Sequence, residues 1–138
     1  MNKTDYSEKT ARFILIAVAA GSLSNAAWML LFPSGWFDHM PALVPEYGTF
    51  NVHFVRDIGC SFLTIGVTLW WGLLKPKYLF PVAVFATLFY SAHALVHVFD
   101  TLRGHVGAHH WWVDFPTSYL PAIALCWVSL HLYRSEQN

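Results

Sequence analysis

Four stretches of the chain stay apolar for about 20 residues each, the length at which an α-helix covers the hydrocarbon core of a bilayer. They fall at about 12–32, 52–74, 78–99 and 116–133, and each is continuous instead of alternating. Lipid-spanning barrels are built from many short alternating segments. The expected fold is therefore all-α: a single domain over residues 1–138, an integral membrane four-helix bundle with antiparallel up-down connections. Composition agrees, since 56% of residues are hydrophobic and 12% charged, far from the balance of a soluble globule. Net charge is zero and no basic block occurs, which excludes nucleic acid as a partner because that partner needs a concentrated cationic face. The partner implied is the lipid bilayer.

Positive charge gives the expected orientation. Lys3, Lys9 and Arg12 precede the first span, Lys75 and Lys77 form the turn between the second and third, and Arg134 ends the fourth. By the positive-inside rule both termini face the cytoplasm. The connections PSGWFDHMPALVPEYGTF and TLRGHVGAHHWWVDF hold only Arg103 as a basic residue, so they are expected to be exoplasmic, or periplasmic in the expected location, a bacterial inner membrane. Their Trp36, Phe37, Tyr47, Phe50, Trp111 and Trp112 suit the headgroup layer. The polar start MNKTDYSEKTAR leads into an apolar run without a small-residue cleavage site, which reads as a retained first span. Cys60 and Cys126 lie within apolar runs and read as small buried hydrophobes, not as a disulfide framework.

Against this apolar ground the ionisable residues are unevenly placed: every histidine but His131 lies toward the exoplasmic half. The Lys75-Pro76-Lys77 turn is so short that the second and third spans form an antiparallel hairpin, and depth can be counted from it. His53 and His97 lie 23 and 21 residues from Pro76, and Asp57 and His93 lie 19 and 17. Each pair then agrees in depth to about 3 Å. His53 with Asp57, and His93 with His97, are spaced i, i+4, so each pair projects from one helix face. Cys60, Ser61, Thr64 and Thr68 extend the polar stripe on the second span, and Tyr90 and Asp100 on the third, so both faces are expected to point inward. With Ser22, Ser24 and Asn25 of the first span they outline a polar chamber opening to the outside. An unpaired charge at mid-bilayer costs about 2.5–3.5 kcal/mol on insertion scales, which argues that the cluster has a use.

One use is a metal site. Imidazole and carboxylate suit copper, iron or zinc, and His53, Asp57, His93 and His97 are the expected ligands. Asp100, His105, His109 and His110 stand by as further ligands or as groups that orient one, Asp100 above all. Arg56 follows as a partner for Asp57 or Asp100, or as a clamp on an anionic headgroup, and Asn25 as a polar contact at similar depth. Oxygen-dependent redox chemistry and metal-assisted lipid hydrolysis both fit such a site, with a lipid or other hydrophobic molecule as substrate. A second class is b-type haem, held by His53 and by His93 or His97 from facing helices. A third is a non-catalytic accessory subunit, in a homo-oligomer or a larger membrane complex, whose Gly21, Ser22, Ser24, Gly59 and Gly66 serve close helix packing.

The spacings HALVH (His93, His97) and HVGAHH (His105, His109, His110) resemble two histidine boxes of membrane di-iron desaturases and hydroxylases. That resemblance covers 93–110, lacks a third box, and implies metal that activates oxygen against a lipid chain. In whole-chain layout the protein resembles the small bacterial DoxX-like four-helix membrane proteins, which implies the fold alone.

Overall fold

The computed structural model describes residues 3–137, with side chains from Tyr6 onward. Six helices follow in order: α1 Lys3–Leu31, α2 Pro33–His39, α3 Val52–Leu74, α4 Leu79–Leu102, α5 His110–Val113 and α6 Leu120–Glu136. No strand occurs among the described residues. Four helical segments, Tyr6–Leu31, Val52–Leu74, Pro76–Leu102 and Phe115–Glu136, are long and apolar enough to cross a membrane.

Local chemistry explains the boundaries. Pro33 opens α2, where a missing N–H costs nothing. The Asn51 side chain accepts from Phe54 N at 3.1 Å and caps α3. Gly104 ends α4 in the left-handed region at φ 70°. There the amides of Gly104 and His105 donate back to the carbonyls of Thr101 (3.2 Å) and Asp100 (2.9 Å), a Schellman closure that turns the chain across the bundle.

The tightest contact is between α1 and α3. On α1 the buried positions Ala11, Leu15, Ala19, Ser22, Ala26 and Met29 repeat every three to four residues, and on α3 Val55, Gly59, Phe62, Gly66, Leu69 and Leu73 do the same. Gly66 sits where a methyl group has no room, and Gly59 where one would be tight. A Cβ on Gly66 would lie 2.6 Å from Leu23 Cγ and 3.1 Å from the Ala19 carbonyl oxygen, and one on Gly59 3.0 Å from Met29 Cβ. The two backbones approach through these glycines, as small residues allow in membrane bundles.

A second contact joins α4 to α6, where Ala83 and Ala86 are buried with Leu125 and Val128. Thr87 Oγ1 meets Ser129 Oγ at 2.8 Å there. Ser7 Oγ lies 3.1 Å from His131 Nδ1, so the start of α1 and the end of α6 share one end of the bundle. Up-down connection puts the 75–78 turn at that end too, and with it Lys9, Arg12, Lys75, Lys77 and Arg134. The connections 32–51 and 103–119 close the other end.

The hairpin depth count agrees with the ring contacts, since Phe62 meets Phe89 (5.4 Å) and Tyr90 (6.0 Å) on α4. The rotation of α3 differs from expectation. Because its glycine face packs on α1, the stripe His53, Asp57, Cys60, Ser61, Thr64 and Thr68 turns outward, exposed or half-buried. That stripe tolerates an apolar surrounding because its hydroxyls donate to their own helix: Ser61 to the Asp57 carbonyl (3.3 Å), Thr64 to Cys60 (2.9 Å) and Thr68 to Thr64 (2.8 Å). Cys60 and Cys126 are free and exposed, not buried.

Gly66→Ala is expected to destabilise the bundle by about 1–3 kcal/mol, as overpacking does. Gly21, with nothing within 4 Å of its would-be Cβ, should accept alanine with no loss. Thermal melting of both variants in detergent checks the contrast, and equal melting temperatures would contradict the α1–α3 packing.

Candidate metal centre

The two connections at the far end of the bundle meet over α4. In the first, Val44–Tyr47 forms a short 3-10 turn that follows Leu43, a non-glycine residue in the left-handed region (φ 51°). This turn carries Glu46 and Tyr47. In the second, α5 runs into a π-helical turn, Phe115–Tyr119, in which the amides of Ser118 (2.8 Å) and Tyr119 (3.4 Å) both donate to the Asp114 carbonyl. Single π turns of this kind recur at functional sites. This one places Asp114 four residues after His110 with both side chains fully buried.

Asp114 Oδ2 is the centre of a polar network. Tyr47 donates its hydroxyl to that oxygen at 2.5 Å, while His97 Nδ1 lies 2.9 Å and His110 Nδ1 3.2 Å from it. The same two nitrogens lie 2.7 and 3.2 Å from the Tyr47 oxygen. An ionised carboxylate only accepts, so each imidazole presents an N–H at Nδ1 and turns its Nε2 away from Asp114. Burial first, and then the hydrogen bond to Asp114 and the charge on it, push the Tyr47 hydroxyl well above the ordinary tyrosine pKa. Tyr47 is therefore a neutral donor throughout the physiological range.

At the outer edge of this network Glu46 Oε2 lies 3.1 Å from His109 Nε2 and 3.1 Å from His110 Nε2. The three ligand atoms lie within 4.8 Å of one another. For His110 the consequence is specific. With its Nδ1 N–H directed to Asp114, its Nε2 faces a carboxylate oxygen at 3.1 Å, a contact that needs a proton or a metal cation between the two atoms. Ligands held at about 2.0–2.1 Å from tetrahedral zinc lie about 3.3 Å apart, close to the two Glu46–imidazole separations of 3.1 Å. Asp114 behind His110 supplies the carboxylate–histidine backing that orients metal-binding imidazoles.

The residues expected from sequence divide into separate groups. His97 and His110 join the Asp114 network, and His109 joins Glu46. His105 Nε2 lies 3.3 Å from the Tyr47 carbonyl oxygen. His93 packs edge-on against His97, with ring centroids 4.6 Å apart, and lines a large cavity beneath the network. Asp100 and Asn25 line the same cavity, and Asn25 Oδ1 accepts from Trp36 Nε1 at 2.7 Å. The position expected of Asp100, orienting a histidine, is held by Asp114.

His53 and Asp57 are not brought to His93 and His97. Their side chains are 86% and 60% exposed, and they pair with each other at 3.3 Å on the outer face of α3. The rotation of α3 is the cause: equal depth was right, but α3 meets its neighbours with the opposite face. Hence the facing pair that a haem would need, His53 with His93 or His97, is not assembled either. Arg56 is exposed and forms no ion pair with Asp57 or Asp100 among the described residues.

Three participants, Asp114, Glu46 and Tyr47, were not among the residues expected from sequence. The signal for Asp114 was available, because His110 and Asp114 have the same i, i+4 spacing that singled out His93 and His97. Glu46 and Tyr47 carried no such signal, since they reach the site from 50 to 67 residues away. Fold and site together define a four-helix bundle of membrane-spanning length with a His/Glu cluster built on a buried Tyr-His-Asp network at one end. No protein-family model, curated protein or solved structure matches the chain.

The raised Tyr47 pKa sets a pH dependence. A group whose folded pKa lies above its unfolded value contributes stability in full below the unfolded value, about 10 for tyrosine, and loses it as pH rises beyond. The melting temperature is thus expected to fall between about pH 10 and 11.5, and to fall less steeply in Tyr47→Phe. Identical slopes would show that the Tyr47 hydroxyl does not donate into the buried network.

Proposed function

We propose that this is a membrane-embedded metalloprotein in which Glu46, His109 and His110 hold one transition-metal ion. The observation that carries this reading is the convergence of two imidazole Nε2 atoms on one carboxylate oxygen, with the other nitrogen of His110 fixed by buried Asp114. Two imidazoles and a carboxylate with remaining positions open form the donor set of hydrolytic zinc sites and of non-haem iron oxygenases, and copper is also compatible with it. Such an ion supplies Lewis acidity toward water or a carbonyl, or a place for oxygen to react. The protein's own part is to fix the imidazole tautomers through Asp114, to keep Tyr47 as a neutral donor beside them, and to border the site with an apolar chamber.

The spread of charge supports an orientation with this end outside. Lys9, Arg12, Lys75, Lys77 and Arg134 share the opposite end with both termini, and excess Lys and Arg is the mark of cytoplasmic segments. The metal end then faces the exoplasm, which in a bacterial inner membrane is the periplasm. The desaturase-like spacing is consistent with this chemistry in one respect, since members of both boxes gather around Glu46, Tyr47 and Asp114.

Elemental analysis of protein purified without a histidine tag or chelator tests the reading. About one zinc, iron or copper per chain is expected, retained in His53→Ala and His131→Ala and lost in His110→Ala and Glu46→Gln. Protein that stays metal-free after reconstitution with each ion would overturn it. The accessory-subunit reading would then stand, favoured by the exposed His53–Asp57 pair on α3, a polar contact that a second transmembrane helix would cover.

A further inference from the structure

Beneath the Asp114 network lies a cavity of about 810 Å3 bordered by all four long helices. That volume falls within the range of about 300–1,000 Å3 typical of pockets that enclose a whole small molecule. Its walls are hydrocarbon, with Ile14 and Val18 from α1, Ile58 and Phe62 from α3, and Pro121 and Ala124 from α6. Its rim includes Phe13, Phe54, Val96 and Leu120, all exposed. On a bundle of membrane-spanning length, apolar rims of this kind open toward lipid, so an occupant can enter from the bilayer without passing through water.

One end of the cavity is different. Tyr47, His93, His97 and Asp100 gather there. His93 is held by ring contacts alone, stacked on Phe89 at 6.1 Å, edge-on to Phe62 at 6.1 Å and edge-on to His97. Among the described residues it has no hydrogen-bond partner, so its ring nitrogens are available to a ligand. Asp100 also lines this end, whereas among the described residues no lysine or arginine lines any part of the cavity. A carboxylate or phosphate head would meet negative charge with no cation to balance it. A neutral head that exchanges hydrogen bonds with imidazole meets no such penalty.

We infer that this cavity binds a single-chain neutral amphiphile, with a hydroxyl or carbonyl head against His93 and His97 and its hydrocarbon chain between α1 and α6. Binding requires no metal. Its link to the metal reading is Tyr47, whose hydroxyl reaches both His97 beside the head and His110 of the metal cluster. If both readings hold, the amphiphile is the substrate class of the metal centre.

Trp36 lines the cavity and provides the probe. A dibrominated C18 alcohol is titrated into detergent-solubilised protein, both chelator-treated and zinc-reconstituted, while tryptophan fluorescence is followed. Saturable quenching is expected in the wild type and only the linear background of detergent partitioning in Trp36→Phe. His93→Ala should weaken binding roughly three- to tenfold, the loss of one hydrogen bond. The dibrominated C18 carboxylate at pH 8 should bind at least tenfold more weakly than the alcohol.

Ala124→Phe, which fills the chamber without touching the polar end, should abolish saturable quenching, and a melting curve shows that it folds. Equal quenching in wild type and Trp36→Phe, equal affinity for alcohol and carboxylate, or undiminished binding in a folded Ala124→Phe would each overturn the inference. Quenching in protein that takes up no metal would leave the cavity reading intact and remove the metal reading. Metal uptake without saturable quenching would do the reverse.

Discussion

Everything at the functional end of this protein depends on how closely α1 and α3 approach. Gly59 and Gly66 let the two backbones meet where a methyl group would be tight at the first and collide at the second, and that contact fixes the rotation of α3 about its axis. Rotation in turn decides which α3 side chains border the chamber, Ile58 and Phe62, and which face outward, His53 and Asp57. For helices of this length and apolarity, surrounding hydrocarbon would leave the hydrophobic effect no preference for burying one apolar face over another. Shape complementarity then prevails, and small residues, not polar ones, mark the interior.

This explains what was legible in the sequence and what was not. Helix number, span positions and the antiparallel hairpin follow from apolar length and a proline turn, both local properties. Depth could be counted as well, as the contacts of Phe62 with Phe89 and Tyr90 show. Azimuth could not be counted, and the polar stripe misled because Ser61, Thr64 and Thr68 satisfy their hydroxyls on their own helix and have no need of an interior. The seven-residue spacing of Gly59 and Gly66, matched by that of Ala19 and Ala26, was the more informative pattern. On α4 polarity and packing agree, so Tyr90, His93 and His97 do face inward.

The site itself is assembled from loops, which is why only half of it could be read. Asp114 belongs to the same short segment as His110 and was within reach of a local argument. Glu46 and Tyr47 come from the other connection, and only the folded bundle brings them to Asp114. The arrangement has a clear electrostatic order. Asp114, fully buried, accepts hydrogen bonds from Tyr47, His97 and His110, and this turns the outward nitrogen of His110 toward the half-exposed Glu46. A proton or a metal cation between His110 and Glu46 would satisfy that contact, and Tyr47 connects the pair to the chamber below.

The central claim is that two imidazoles and the Glu46 carboxylate bind one ion directly. X-ray absorption spectroscopy at the zinc edge, on protein loaded with one equivalent of zinc, tests it most directly. The account predicts nitrogen and oxygen scatterers at about 2.0–2.1 Å with the outer-shell pattern of about two imidazoles and no sulfur at about 2.3 Å. A shell of oxygen alone, without imidazole, would mean that the ion is held at the surface by water and carboxylates, and would contradict the site.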